Sequence, residues 1–286
     1  MLAQLRAKAH LRRANERSEK ARRSGGAEAA RLFQAAYRRY ASAVEIDPAM
    51  HEAFKNWGDA LYSEGQTKSG KEQERLYRDA CKKYEAAHSI NAKDPDTLSL
   101  WGLVLSQQAN NKRTKDPDEL YRLAYEKFSG ALTLNQNDHE VLHNWGLALY
   151  NQSHTKMGKQ AIECYQAACE KYSAAVAINS SQPKIMNDWG VALIERAGQE
   201  TAEASKALYQ EAEEKFLAAE AQQAGIASYN LACLYSIRRD YEKCQNRLES
   251  ARDKKSLPSW SRIQNDADLD NVRQLEWFKE FTKTIR

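Results

Sequence analysis

The side chains best suited to bind a metal in this 286-residue chain are five cysteines and six histidines. Closely spaced thiolates form zinc sites, and an even set of cysteines forms disulfide frameworks. Here the cysteine count is odd and no Cys-x-x-Cys pair occurs, which argues against both. We therefore predict reduced thiols, partly buried, in an intracellular protein. The cysteines are Cys81, Cys164, Cys169, Cys233 and Cys244.

Other residues with catalytic or ligating chemistry are scattered. His139 and His143 stand four residues apart, as two imidazoles on one helix face would, but no further ligand completes a metal set. The acidic pair Glu213-Glu214 lies on a polar helix face without an implied cleft. Phosphate-binding Gly loops, GxSxG, HExxH and dinucleotide fingerprints are all missing. We predict no metal, no cofactor and no enzymatic activity.

A 44-residue repeat organises most of the chain. A fixed period between 20 and 50 residues indicates a solenoid or array. Four Trp-Gly pairs keep this period, and columns of Leu, Tyr, Ala and aromatic residues keep the same register. The pairs begin at Trp57, Trp101, Trp145 and Trp189. The aromatic column, one residue from each repeat, comprises Tyr84, Phe128, Tyr172 and Phe216, and an alanine follows each of them three residues later.

The spacing within each repeat predicts two helices. Trp, Gly at +1 and Leu at +4 share one helical face, and Ala-x3-Tyr-x2-Ala shares another. We name these helix A and helix B. Asp116-Pro117 predicts an N-cap followed by proline at the first helical position. The repeated pair of helices indicates an all-α protein, and no proline falls inside a predicted helix, where it would break the helix.

These residues resemble the tetratricopeptide repeat (TPR) family. Asn56-Trp57-Gly58 with Leu61 matches the family pattern on helix A. Ala36, Tyr40 and Ala43 match it on helix B, and Pro48 matches the proline at the exit of that helix. The units are 44 residues long instead of the family's usual 34. The resemblance implies a right-handed superhelical solenoid of antiparallel helix hairpins that binds another protein. The lengthened units are similar to those of plant mitochondrial import receptors.

The register predicts one solenoid over residues 1–286. Its parts are a degenerate N-terminal capping unit (1–47), four long units (48–92, 93–136, 137–180 and 181–222), a family-length unit (223–254) and C-terminal capping helices (255–286). Residues 1–40 hold eleven Lys and Arg against three Asp and Glu. Residues 1–23 are therefore open to a second interpretation, as an organelle-targeting peptide.

The repeated tryptophans predict a structural core. Residues that recur at one structural position serve packing more often than ligand binding, so we expect Trp57, Trp101, Trp145 and Trp189 to be buried between units. The glycine after each is expected to let neighbouring helices A approach closely.

The resemblance places the inner, concave surface of the solenoid on helices A. The side chains on this surface are polar in the first long unit, and apolar residues follow in the later units at Leu103, Leu147 and Val191. Such a surface suits an extended peptide or an amphipathic helix. Packing against the long helix B is the competing explanation for these apolar residues. The predicted groove comprises Lys55, Asp59, Ser99, Leu103, His143, Leu147, Asn187, Val191 and Tyr229.

Basic residues recur in the loops between helix A and helix B. If units stack, they form a positive ridge that attracts anionic membrane, nucleic acid or acidic protein. Solvated lysines that keep the array soluble are the simpler interpretation. The predicted ridge comprises Lys68, Lys71, Lys112, Arg113, Lys115, Lys156 and Lys159.

Four functions remain open from the sequence. The first is a scaffold or adaptor, such as an assembly factor, that binds a partner segment in the groove. The others are a structural subunit of a large complex, a module similar to organelle import receptors, and a ridge that binds membrane or nucleic acid. The carboxylate clamp of heat-shock chaperone adaptors is not expected, because Asp59, Leu100 and Glu140 stand where its polar or basic residues are needed. No segment of the sequence is apolar for long enough to span a bilayer.

Overall fold

The computed structural model describes residues 1–111 and 114–285, and helices connected by short turns account for most of them. The α-helices are α1 (Leu2–Arg23), α2 (Gly26–Ile46), α3 (His51–Gln66), α4 (Gly70–Ile90), α5 (Pro95–Ala109), α6 (Pro117–Leu134), α7 (His139–Ser153), α8 (Lys159–Ile178), α9 (Pro183–Ala197), α10 (Ala202–Gln222), α11 (Ser228–Ile237), α12 (Tyr241–Asp253), α13 (Trp260–Asn265) and α14 (Glu276–Lys283). A 3-10 helix spans Ala267–Leu269. Over the residues described, the prediction of an all-α fold is confirmed.

The chain divides into two compact units, Met1–Ala148 and Leu149–Arg286. In the first unit, α1 packs on α2, α3 on α4 and α5 on α6, and each pair also packs on the next. In the second unit, α9 packs on α8 and α10, and α11 packs on α12 and on the 3-10 helix. Helix pairs stacked in this way bury apolar faces that no single hairpin can bury alone.

Caps define where several helices begin. The carboxylate of Asp116 accepts a hydrogen bond from the Glu119 amide at 3.2 Å, so the predicted cap at Asp116-Pro117 is confirmed. Asp94 caps α5 in the same way, with proline again at the first helical position. These caps satisfy amides at helix starts that have no partner within the helix.

The repeated glycines of helix A lie directly against an aromatic ring of helix B. A Cβ atom added at Gly58 would lie 2.8 Å from the Tyr84 ring, and one at Gly102 would lie 2.8 Å from the Phe128 ring. Heavy atoms do not approach so closely, so the ring requires glycine beneath it. This corrects our expectation that the glycine serves contact between neighbouring helices A, since the contact lies within a helix pair.

The four repeated indoles are half-buried, which differs from the predicted burial between units. The rings of Trp57 and Trp145 do pack on aromatic residues of the preceding helix B. The Trp57 ring stacks on Tyr40 at 6.2 Å between centroids, and Trp145 stacks on Phe128 at the same distance. The fully buried large rings are instead those of helix B, among them Tyr40, Tyr84 and Phe128. Each indole therefore lies at the edge of the core, with its outer face in contact with side chains outside the core.

Within the described ranges, none of the helices combines the length and apolarity that crossing a bilayer requires.

Candidate functional site

The helix A face of the first unit carries a polar cavity. Its volume is about 230 Å³, and α1 and α3 supply most of its walls. The lining residues are Asn15, Ser18, Glu19, Arg22, Tyr40, Asn56 and Asp59. Of these, only Asp59 belongs to the predicted groove.

Hydrogen bonds between neighbouring helices fix the walls of this first cavity. The Tyr40 hydroxyl donates to Asn15 Oδ1 at 2.8 Å, and Asn56 Nδ2 donates to the same oxygen at 3.2 Å. Arg22 Nε donates to Ser63 Oγ at 3.0 Å. The cavity therefore has ordered polar walls built from three helices, which is the arrangement needed for hydrogen bonding to a ligand.

Asp59 is held against the core by a buried tyrosine. The Tyr84 hydroxyl donates to Asp59 Oδ1 at 2.6 Å. Burial raises the pKa of the Asp59 carboxyl above its ordinary value, while the Tyr84 hydrogen bond acts in the opposite direction. One carboxylate oxygen thus serves the fold, and the residue still lines the cavity.

Lys55 is engaged by the next helix pair. Its ammonium lies 3.4 Å from Asp94 Oδ2 and 3.7 Å from Asp96 Oδ2. His51 Nε2 also lies 3.1 Å from Asp94 Oδ2. These contacts join the start of α5 to α3, so Lys55 serves at least partly to hold adjacent helices A together.

The other predicted groove residues of the first unit differ in exposure. Ser99 and His143 are buried, with less than a tenth of each surface exposed. Leu103 and Leu147 are half-exposed. The leucines are therefore available to a partner, whereas Ser99 and His143 belong mainly to the packing.

In the second unit, the predicted groove residues take part in a hydrogen-bonded row. Asn230 Nδ2 donates to Asn187 Oδ1 at 2.7 Å, which joins α11 to α9. The buried Tyr229 donates its hydroxyl to Asp266 Oδ2 at 2.7 Å. Val191 is half-exposed and lines a cavity.

This second cavity has a volume of about 150 Å³ and lies between α9, α11 and the segment around α13. Tyr150, Val191 and Ile194 give it an apolar wall, and carboxylates and one guanidinium give it charge. The remaining lining residues are Glu195, Asn230, Cys233, Arg262, Asp266 and Asp268. Burial, followed by the nearby carboxylates of Asp266, Glu195 and Asp270, raises the pKa of Asp268 to about 6.

Three of these side chains present metal-ligand atoms within 4.8 Å of one another, namely Cys233, Asp266 and Asp268. Both oxygens of Asp266 are already used, by the Tyr229 hydroxyl and by the Asp268 amide at 3.1 Å. Burial also raises the pKa of the Cys233 thiol well above its ordinary value, which opposes the thiolate that a metal needs. Cys233 and Asp266 thus belong to hydrogen-bonded packing.

The predicted ridge residues differ in their ion pairs and in their exposure. Lys68 pairs with Glu72 at 3.5 Å and Lys159 with Glu163 at 3.7 Å, and in both cases the partner lies four residues further along the chain. Lys71 and Lys115 are exposed, and Lys156 is half-buried. Lys112 and Arg113 lie outside the described residues.

Sequence reasoning missed much of both cavities. Asn15 stands 44 residues before Asp59, so the repeat register contained a signal for it. Glu195 also has a register position on helix A, one turn after Val191. Arg262 and Asp268 belong to the irregular C-terminal segment, for which the repeat gives no register.

The comparisons with known proteins support the fold. No family model matches the chain, and no curated protein matches its sequence. Among solved structures, PilF of Pseudomonas aeruginosa is 15% identical, with 92% of this chain and 99% of that chain covered at a TM-score of 0.60. MamA is 15% identical, with 79% and 96% covered at a TM-score of 0.51. YrrB, described as a TPR protein, is 19% identical, with 80% of this chain and 94% of that chain covered at a TM-score of 0.49.

At these identities the likeness concerns architecture alone. Combined with helix pairs that carry the TPR residues at matching positions, it confirms the TPR-like solenoid fold of paired helices predicted from the sequence.

Proposed function

We propose that the protein is an interaction scaffold that holds a segment of a partner protein against its helix A faces. The observation that carries the proposal is that the helix A side of each unit bears a cavity, with polar walls in the first unit and with an apolar wall facing charged groups in the second. A face that served only packing would be filled by its own side chains. These faces instead leave hydrogen-bonding groups beside open volume.

The kind of partner follows from the lining. Half-exposed leucines at Leu103 and Leu147 provide apolar anchoring on the first unit, and the polar cavity beside Asn15 and Asn56 provides hydrogen bonding. An extended peptide or one helix of a partner presents this mixture of apolar side chains and polar groups. An assembly factor that holds such a segment for later delivery fits this description.

The ridge receives less support as a binding surface. Lys68 and Lys159 each have a glutamate partner four residues further along the chain, which reduces the positive charge they offer to a phosphate. A permanent structural subunit would instead use the convex and loop surfaces, and a module similar to import receptors would differ from the proposal in the identity of its partner.

The test is affinity capture with the full chain as bait, followed by mass spectrometry. Two variants, Leu103→Glu and Leu147→Glu, place a charge on the helix A face of the first unit. Thr133→Glu introduces the same residue on an exposed position of α6 and is the control. Circular dichroism and thermal melting establish that each variant is folded.

We expect specific partners to be lost from both leucine variants and kept by Thr133→Glu. Partners that persist on folded leucine variants would contradict the proposal, as would their equal loss from the control. Binding that falls steeply as salt rises, with the leucine variants unaffected, would favour the ridge instead.

A further inference from the structure

The cavity of the second unit combines an apolar wall with unpaired charge. Val191 and Ile194 of α9 and the ring of Tyr150 form one side, and carboxylates form the other. Its volume of about 150 Å³ is roughly five times the volume of a water molecule in the liquid. It therefore has room for the end of a long side chain, but not for an element of secondary structure.

Two charged side chains lining this cavity lack partners within the described part of the chain. Asp268 is half-buried, yet its carboxylate forms no ion pair or side-chain hydrogen bond there. Arg262 shares the cavity and forms no ion pair there either, but its side chain is exposed to water. For the half-buried Asp268, a charge withdrawn from water without a partner is unfavourable, and a ligand that supplies the opposite charge relieves this cost.

The charges facing the cavity favour a cation. Glu195, Asp266 and Asp268 carry three carboxylates against the single guanidinium of Arg262. The nearby carboxylate of Asp270 adds to the negative potential at Asp268. A positive group attached to an aliphatic stem would meet the carboxylates at its tip and the apolar wall along its length, as lysine and arginine side chains do.

We propose that this cavity receives a lysine or arginine side chain from the bound partner segment, with Asp268 and Glu195 facing the positive group. Val191 and Ile194 pack along the aliphatic stem, and Arg262 donates to a backbone carbonyl of the same segment. The inference rests on the proposed function and adds to it the residue type that the second unit selects.

The probe is a library of random twelve-residue peptides displayed on phage and selected against the full chain. Selection takes place in the presence of EDTA, so that no divalent metal bridges peptide and protein. Parallel selections use Asp268→Asn, Asp268→Lys and the control Asp253→Lys, which makes the same charge change at an exposed position of α12. Enriched peptides are then synthesised, and their Kd values are measured with each protein.

We expect the wild type to enrich peptides with one basic residue at a fixed place beside apolar residues. Replacing that residue by norleucine weakens binding by about tenfold or more, as expected for loss of a charge-assisted contact. Asp268→Asn weakens it by a similar factor, Asp268→Lys abolishes it, and Asp253→Lys leaves it unchanged.

Several results would overturn the inference. If the wild type enriches peptides without a basic residue, the inference is overturned. The proposed function stays in place in that case when Leu103→Glu reduces the binding of those peptides. Equal affinity of the enriched peptides for wild type and folded Asp268→Lys also overturns it, as does binding that appears only when Zn²⁺ or Ca²⁺ replaces EDTA. Failure of the wild type to enrich any peptide counts against both the inference and the proposed function.

Discussion

The ammonium nitrogen of Lys83 lies 3.7 Å from the centroid of the Trp57 ring. The same arrangement recurs 44 residues later, with Lys127 above Trp101 at 4.0 Å, and again with Lys215 above Trp189 at 4.0 Å. Each lysine belongs to the helix B that follows its tryptophan along the chain. The indole therefore has one face on the core and the other beneath a cation, which explains its half-buried state.

The pair Lys83 and Trp57 is expected to contribute to stability beyond simple packing. A cation over an indole face contributes about 0.5–1 kcal/mol at exposed sites. We predict a coupling energy of this size from a double-mutant cycle with Lys83→Met and Trp57→Leu, measured by urea unfolding. Methionine keeps much of the aliphatic stem, so a coupling near zero would show that the ammonium contributes nothing.

Gly102 is expected to tolerate no side chain. In Gly102→Ala the new Cβ atom would lie 2.8 Å from Phe128 and 3.1 Å from the Ala124 carbonyl oxygen. Overpacking costs about 1–3 kcal/mol, which outweighs the gain in helix propensity of about 1 kcal/mol. We expect a lower melting temperature for Gly102→Ala. Gly25→Ala, where no atom lies within 4 Å, should differ little from wild type, and equal effects of the two changes would refute the packing explanation.

Tyr37 is expected to be needed for the buried carboxylate of Glu64. Its hydroxyl donates to Glu64 Oε2 at 2.7 Å, and only 3% of the Glu64 surface is exposed. Removing the donor in Tyr37→Phe leaves a buried acceptor without this partner, at a cost of about 1–3 kcal/mol. Chemical denaturation measures this loss. Tyr241→Phe, at an exposed tyrosine, is the control and should have almost no effect.

Asp94 should make the stability of the first unit fall in acid. Partial burial acts to raise the pKa of this carboxyl, but the Thr97 hydrogen bond and the Lys55 ammonium hold it below the ordinary value of 3.8. A pKa lowered in the folded state stabilises the protein above the unfolded value, and that contribution is lost as pH falls through the folded value. Asp94→Asn should therefore lower stability at pH 7 and flatten the decline below about pH 4. Unchanged acid sensitivity in denaturation at several pH values would contradict this.

Asp268 should have the opposite effect on the pH dependence. Its pKa of about 6 lies above the unfolded value of 3.8, because burial and neighbouring carboxylates disfavour its charge. The folded state then binds more protons between these values, and the contribution of Asp268 to stability falls as pH rises from about 4 to 6. We expect Asp268→Asn to raise the unfolding free energy at pH 7 by about 1 kcal/mol after solvent screening. A stability loss in this variant would mean that the carboxylate has a favourable partner.

The repeat made the fold predictable, because each column of residues reports the same local packing several times. Trp-Gly pairs, the aromatic column of helix B and the cap at Asp116 located helices that the structure confirms. The lysine column of Lys83, Lys127 and Lys215 was equally regular but passed unnoticed, since charged residues are ordinarily assigned to solvent.

The candidate site was predictable only where the register reached it. Of the predicted groove residues, Val191 and Asp59 line cavities, whereas Ser99 and His143 are buried. Periodicity tells which side of a helix a residue occupies, but the neighbouring helix decides how much of that side remains exposed.

By itself, the sequence determined the helix pairs and their repetition, because helical periodicity is a local property that every repeat shows again. Only the tertiary structure decided which polar groups meet, such as Asn15 with Asn56 and Tyr229 with Asp266. Those partners lie 41 and 37 residues apart, and their contact depends on how successive helix pairs stack. The unpaired carboxylate of Asp268 was likewise decided there, since burial and neighbouring charge are properties of the folded chain.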